Sequence, residues 1–281
     1  MKIGSKDLDL NNTHIMGILN VTPDSFSDGG SYINVDAALK HALEMINEGA
    51  AIIDIGGEST RPGSTPVSAD EEMNRVIPVI KALRNVSDIP VSIDTYRAET
   101  AEEALKSGAD LINDIWGFRY DRGEMAKVIA DYRVPCVLMH NRQEPVYWAL
   151  LKDMRADLKE SLAIAEAAGI DRDKIILDPG IGFGKTYEHN LIILNNLEFF
   201  NELGYPMLLG CSRKSVIGNA LSLPVEERLE GTIVTSVLAA QAHYPFIRVH
   251  DVRENKRAVD MYYSIAGYAQ KLKRVMKNDC G

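Results

Sequence analysis

Short apolar runs rich in Val, Ile and Leu alternate along the chain with longer segments of helical periodicity. The runs are HIMGILNV (14–21), AAIIDIGG (50–57), PVSIDT (90–95), ADLINDIWG (109–117), PCVLMH (135–140), KIILDPG (174–180), PMLLGCS (206–212) and FIRVHDV (246–252). Near-continuous apolar character, rather than strict alternation, predicts parallel strands covered on both faces. The segments between them carry helix punctuation. Asn34 is placed to cap a helix whose stripe is Val35, Ala38, Leu39, Ala42 and Ile46, with a stop at Gly49. Ser68 and Glu71 have the spacing of a capping box. Gly108, Gly169 and Gly204 each follow a helical segment, where a terminating glycine is favoured. Pro78 falls inside the second helical pattern and predicts a kink or a split there.

Strand and helix alternate eight times with no linker-like stretch and no shift in composition. That rhythm predicts a single-domain (β/α)8 TIM barrel over residues 1–281. An open doubly wound sheet would give the same rhythm, since closure is not written in the pattern. The length of 281 residues suits a barrel, which typically takes about 250. Long polar or Gly/Pro-rich stretches follow strand one (TPDSFSDGGSY, 22–32), strand two (ESTRPGSTPV, 58–67) and strand seven (RKSVIGNALSLP, 213–224). All three lie at strand C-termini, the face on which barrel active sites are built. The stretches near 20–32 and 58–67 are expected to be mobile loops that order around ligand.

Composition narrows the function. Hydrophobic residues make up 46% and charged residues 25%, the balance of a globular protein with a sizeable core. No apolar run approaches the roughly 18 residues of a membrane span, and the N-terminus lacks a signal-like apolar stretch, so a cytoplasmic protein is expected. A formal net charge of -9 and the lack of a Lys/Arg-rich block argue against nucleic acid as a partner. The three cysteines, Cys136, Cys211 and Cys280, form no CxxC pair. Cys136 and Cys211, in apolar runs, are expected to be buried free thiols.

The informative residues are polar ones where strands should be apolar. Asn20, Asp94, Asn113 and Asp178 stand at strand ends, and Arg248 and His250 stand on or just after strand eight. A carboxylate at a strand end commonly caps the next helix, and for any one of these that account is as good as a functional one. A barrel, however, gathers all eight ends around one mouth. Carboxylates and carboxamides suit a heterocycle rich in N–H donors, and Arg61, Lys214, Arg248 and His250 suit an anion. GIGFGKT (180–186) misses the phosphate-loop pattern, which would need glycine at Pro179, and it also misses G-x-G-x-x-G. His140 and His250, both at strand ends, are short of the three ligands of a catalytic zinc, and the remaining four histidines read as ordinary strand-start or surface residues.

At these same positions NVTPDSFSDGG (20–30), DIGGESTRPG (54–63), DPGIGFGK (178–185), GCSRKS (210–215) and RVHDV (248–252) resemble the signature segments of the dihydropteroate synthases. The likeness runs from about His14 to about Tyr263, in the family's order. It implies a cytoplasmic Mg2+-dependent enzyme, a sulfonamide target, that joins a pterin pyrophosphate to p-aminobenzoate, and it implies a homodimer. By the same resemblance Asp94, Asn113, Asp178, Lys214 and Arg248 hold the pterin. Asn20, Thr60, Arg61, Arg248 and His250 hold pyrophosphate, with Asn20 also at the metal, and Phe26, Pro62, Phe183 and Ser215 form the p-aminobenzoate pocket. Asp94, Lys214, Arg248 and His250 are then the catalytic set. Two departures from the family stand out: Val216 replaces a usual Phe, and Asn141-Arg142-Gln143-Glu144 replaces a usual Met-Arg-Gly-Thr, which leaves the role of that loop open. A pterin-dependent methyltransferase resembles the same fold but needs no pyrophosphate site, and a silent pterin-binding protein needs no full polar set.

Overall fold

The computed structural model describes residues 1–22, 35–58, 66–121 and 123–278, with side chains as far as 268. Eight parallel strands follow one another: β3 (His14–Asn20), β4 (Ile52–Gly56), β5 (Val91–Asp94), β6 (Leu111–Asp114), β7 (Cys136–Met139), β8 (Ile175–Asp178), β9 (Leu208–Leu209) and β10 (Phe246–Val249). Their hydrogen-bonded order is β8-β7-β6-β5-β4-β3-β10-β9. A parallel bridge between Leu177 and Met207, with Leu177 N–H donating to Pro206 O at 2.9 Å, joins β8 to the segment leading into β9. The ring is therefore a barrel, and the open-sheet alternative falls. All eight expected strands are present, each shorter than its apolar run.

Period two along each strand sorts the side chains. Met16, Ile52, Leu111, Val137, Ile176, Leu208 and Phe246 form one inner cluster at the N-terminal end of the barrel. Ile15, Leu19, Ile53, Ile55, Val91, Ile93, Ile112, Cys136 and Leu138 point outward and pack with the helices as the main core. A continuous apolar strand is what this double burial requires. The sequence pattern left residues 1–13 unassigned. They form a two-stranded antiparallel hairpin, β1 (Lys2–Ile3) with β2 (Lys6–Asp7), and Ile3 and Leu8 complete the inner cluster, closing the barrel floor.

The helices are α1 (Val35–Glu48), α2 (Ala69–Arg84), α3 (Ala98–Lys106), α4 (Glu124–Tyr132), α5 (Leu150–Ala167), α6 (Tyr187–Leu194), α7 (Ser215–Leu221), α8 (Leu229–Gln241) and α9 (Val252–Asn278). Gly49, Gly108, Gly169 and Gly204 take φ of +105°, +112°, +79° and +71°, the left-handed geometry expected of terminating glycines. Asn34, the expected cap of α1, lies outside the described residues. Half of the expected capping box forms: Ser68 Oγ accepts from Glu71 N at 3.2 Å, while the Glu71 carboxylate turns to Arg75 at 2.9 Å. Of the kink or split that Pro78 predicts, the split does not occur: α2 runs through it from Ala69 to Arg84. Pro78 and Asn74 both lie on the exposed side, so the carbonyl that loses its helical donor meets water instead of the core. The stretch after strand seven is likewise not all loop, since it contains α7.

Candidate active site

The inner positions above the apolar floor are polar. Arg248, on β10, reaches across the barrel: its Nε donates to Asp54 Oδ2 at 2.6 Å and one terminal nitrogen donates to Asp94 Oδ2 at 2.6 Å. Asn113 Nδ2 donates to the same Asp54 oxygen at 3.3 Å. Asp54 is fully buried, yet its Oδ1 and the Oδ1 of Asp94 have no hydrogen-bond partner among the described residues. Each such orphaned acceptor costs on the order of 1–3 kcal/mol, so these two oxygens mark a place built for N–H donors. Asp178, at the end of β8, accepts from Gly180 N at 2.7 Å through Oδ1. Its other oxygen faces Gly210, where a Cβ would sit 3.6 Å from Oδ2 and 3.9 Å from Arg248 Cβ. Gly56 similarly opens the space between Asp94 and Asn20. Two glycines in the polar layer thus leave a slot that side chains would narrow.

Lys214 closes one side. Its Nζ donates to Ile181 O at 2.5 Å and lies 4.6 Å from the centre of the Phe183 ring. Tyr96, Ile115 and Met139 form an apolar patch against which Trp116 and Phe183 pack. His250 Nδ1 and Ser212 Oγ are 2.9 Å apart, and Ser212 Oγ also accepts from His250 N at 3.2 Å. Asn20 ends β3 beside Gly56, and Ser215, exposed, begins α7. The structure thus gathers Asn20, Asp94, Asn113, Asp178, Phe183, Lys214, Ser215, Arg248 and His250 from the strand ends and their following loops. Phe26, Thr60, Arg61 and Pro62, with most of the two stretches expected to be mobile, lie outside the described residues.

Electrostatics follow from burial. Three carboxylates, Asp54, Asp94 and Asp178, share the slot with the cations Lys214 and Arg248. Burial pushes the Asp94 carboxyl up from 3.8 to about 7, with Arg248 opposing and Asp54 reinforcing. Burial raises Asp178 as well, against Lys214 and the Gly180 N–H, and it lowers Lys214. A raised acid holds an extra proton in the folded state between pH 3.8 and about 7, so Asp94 contributes less to stability as pH rises through that window. A ligand that donates to the Asp94 carboxylate should bind about tenfold more weakly at pH 6 than at pH 8. Pterin calorimetry at the two pH values checks this, and Asp94→Asn should flatten the dependence; a flat wild-type response would contradict it.

Several residues escaped the sequence pattern. Asp54 sits in the middle of an apolar run and reads as part of it, yet it anchors Arg248. The 141–144 departure also acquires a role. Arg142 Nε donates to Asp157 Oδ2 at 2.6 Å and its terminal nitrogen to Oδ1 at 3.0 Å, while its guanidinium stacks 4.4 Å from the Tyr147 ring centre. His140 and His250 are committed separately, His140 to Asp157 and Lys185 and His250 to Ser212. His189, read as a surface histidine, completes a reciprocal capping box with Thr186 at the start of α6. Val216 is buried in the main core. Cys136 and Cys211 are buried free thiols, as expected, and burial pushes both up, Cys211 to about 11. Among the described residues no helix is long and apolar enough to cross a membrane.

A family model described as pterin binding enzyme matches residues 16–250. The dihydropteroate synthase of Clostridium beijerinckii is 60% identical over 263 residues, covering 93% of this chain and 97% of that protein. The chain belongs to the dihydropteroate synthase family. The crystal structure of a family member from Clostridium difficile, determined in the presence of pteroic acid, superposes with a TM-score of 0.89 at 50% identity, covering 94% of this chain and 98% of that one. That of Xanthomonas albilineans dihydropteroate synthase, in complex with 7,8-dihydropteroate, gives a TM-score of 0.85 at 40% identity over 92% and 95%. As a dihydropteroate synthase the chain is a transferase on a TIM barrel.

Proposed function

We propose that the barrel mouth joins 6-hydroxymethyl-7,8-dihydropterin pyrophosphate to p-aminobenzoate, giving 7,8-dihydropteroate and pyrophosphate. The observation that carries this reading is the Asp54–Arg248–Asp94 bridge with its two orphaned carboxylate oxygens, set beside Asn113 and Asp178. An edge-on heterocycle with ring N–H and amino donors satisfies those acceptors. Asp94, Asn113 and Asp178 then bind the pterin, Lys214 and Arg248 flank it, and Phe183 and Ser215 face p-aminobenzoate. His250, with Arg248 beneath it, serves the pyrophosphate, together with Asn20, Thr60 and Arg61; Phe26 and Pro62 belong to the aminobenzoate side.

In the reaction the bond from the pterin methylene to the pyrophosphate oxygen breaks and a bond to the arylamine nitrogen forms, with one N–H proton lost to solvent or to the departing group. An arylamine is already neutral at pH 7 and needs no strong base. It is a weak nucleophile, so the residues act mainly by positioning and by stabilising charge. Arg248 and His250 offset the negative charge that grows on the leaving group, while the carboxylates of Asp94 and Asp178 stabilise the electron-poor pterin. Asn20 Oδ1 and Asp94 Oδ2 border the same point above Gly56, each 3.8 Å from it. Among the described residues no group of three His, Cys, Asp or Glu side chains could hold a metal unaided. Such a donor set fits a hard ion that keeps its own waters and the phosphate oxygens, so Asn20 would hold Mg2+ at the rim. When bound, the ion supplies charge neutralisation on the pyrophosphate.

Dihydropteroate formation from the two substrates, followed chromatographically, tests the proposal. Chelator should abolish product while leaving the melting temperature of the ligand-free protein unchanged. Absence of product with both substrates and Mg2+ present would refute the reading. A cytoplasmic homodimer completes the proposal. The mutually packed α8 and α9 expose Val234, Leu238, Met261, Ile265 and Tyr268, an apolar set suited to a second copy. A sedimenting mass of one chain would argue against it.

A further inference from the structure

The segment Gly180–Gly184 failed as a nucleotide cradle, and its glycines have another explanation. Gly180, Gly182 and Gly184 all have positive φ, at +68°, +85° and +56°. A Cβ on Gly180 would lie 2.0 Å from His140 O, and one on Gly184 would lie 2.2 Å from Arg142 O. The segment therefore lies directly on the backbone that leaves β7. Only glycine permits both the conformation and the approach.

Lys185 follows immediately and points back beneath the segment. Its Nζ has three acceptors: Phe183 O at 2.8 Å, His140 Nδ1 at 2.9 Å and His140 O at 3.3 Å. Burial pushes the Lys185 amine well below its ordinary range, and these acceptors hold it with no ion bridge to a carboxylate among the described residues. The histidine tautomer follows from the network. Asp157, its carboxyl held below the ordinary range by His140 and Arg142 against the effect of burial, accepts from His140 Nε2 at 2.9 Å. Burial pushes His140 down to about 4, so the ring is neutral, Nε2 carries the hydrogen and Nδ1 accepts from Lys185. Arg142 grips the same Asp157, stacks on Tyr147, and Tyr147 Oη donates to Gly184 O at 2.8 Å.

We infer that Lys185, backed by His140 and Asp157, is a positioning residue that fixes the Phe183 end of this segment and so sets affinity for the arylamine substrate. The Gly180 end is held independently through Asp178. Phe183 lies beneath Lys214, and Lys214 is itself tied to Ile181 O in the same segment. Releasing Lys185 frees the wall carrying Phe183 without removing a hydrogen bond from the carboxylates assigned to the pterin. The unusual 141–144 loop belongs to this support, because Arg142 completes the anchorage of Asp157 and Tyr147.

This inference rests on the proposed synthase reading, and steady-state kinetics of the whole enzyme separate the two. Lys185→Met keeps the length of the side chain and removes every donor. It should raise the KM for p-aminobenzoate about tenfold, with kcat lowered less than threefold and pterin affinity within twofold of wild type by calorimetry. Tyr147→Phe, which deletes one partly buried hydroxyl and leaves the core untouched, should raise the same KM about threefold. It keeps the inference testable should Lys185→Met fail to fold. An unchanged p-aminobenzoate KM in the folded variants would overturn the inference, as would a parallel loss of pterin affinity. Failure of the wild-type enzyme to turn over would instead overturn the synthase reading itself.

Discussion

Arg248→Met is expected to destabilise the protein by about 3–5 kcal/mol and to lower turnover at least roughly 100-fold. The guanidinium bridges two carboxylates drawn from neighbouring strands, Asp54 fully buried and Asp94 nearly so. Removing it leaves two buried negative charges facing one another. The variant can relieve that repulsion by taking up protons. Its deficit should accordingly be smaller at pH 5 than at pH 8, because carboxyls raised further in the folded state lose stability as pH rises. Adding Asp54→Asn to Arg248→Met should recover part of the stability and none of the turnover. Urea midpoints of the single and double variants at both pH values provide the check. A single variant within about 0.5 kcal/mol of wild type would show that the bridge carries no such weight.

Asp178→Asn should leave the fold intact and weaken pterin binding at least roughly tenfold, the equivalent of losing a charged hydrogen bond of about 1.5–3 kcal/mol. The direction follows from the geometry. Asp178 Oδ1 receives the Gly180 N–H at 2.7 Å, so an asparagine must keep its oxygen there. Its NH2 group is then turned toward Gly210 and the slot, presenting a donor where the carboxylate presented an acceptor. Calorimetry with a non-reactive pterin measures the loss directly. Unchanged affinity in a folded variant would remove Asp178 from the pterin site.

The eight strands could be read from the sequence because each is covered on both faces and so remains apolar along its length. Their ends could not, since runs such as ADLINDIWG continue into turns: β6 stops at Asp114, whose carboxylate accepts from Trp116 N and Phe118 N. The floor hairpin was invisible because its strands are two residues long and mostly charged. Closure was invisible too, since one bridge between Leu177 and Met207 leaves no mark on hydrophobic periodicity. In the site, Asp94, Asn113, Asp178, Arg248 and His250 stood out as polar groups at strand ends. What they bind to one another did not. Arg248 reads as an anion-binding residue, yet its partners lie 194 and 154 residues away in sequence. Asp54 was hidden by the apolar residues around it, and Lys185 by a glycine motif that suggested a nucleotide.

In the proposed reaction an arylamine displaces pyrophosphate from a pterin methylene in this slot. Pyrophosphate release from the pterin pyrophosphate, measured with Mg2+ in the presence and absence of p-aminobenzoate, tests it most directly. Release should rise with p-aminobenzoate and match dihydropteroate mole for mole. Release that ignores p-aminobenzoate, or no release with both substrates present, would contradict it.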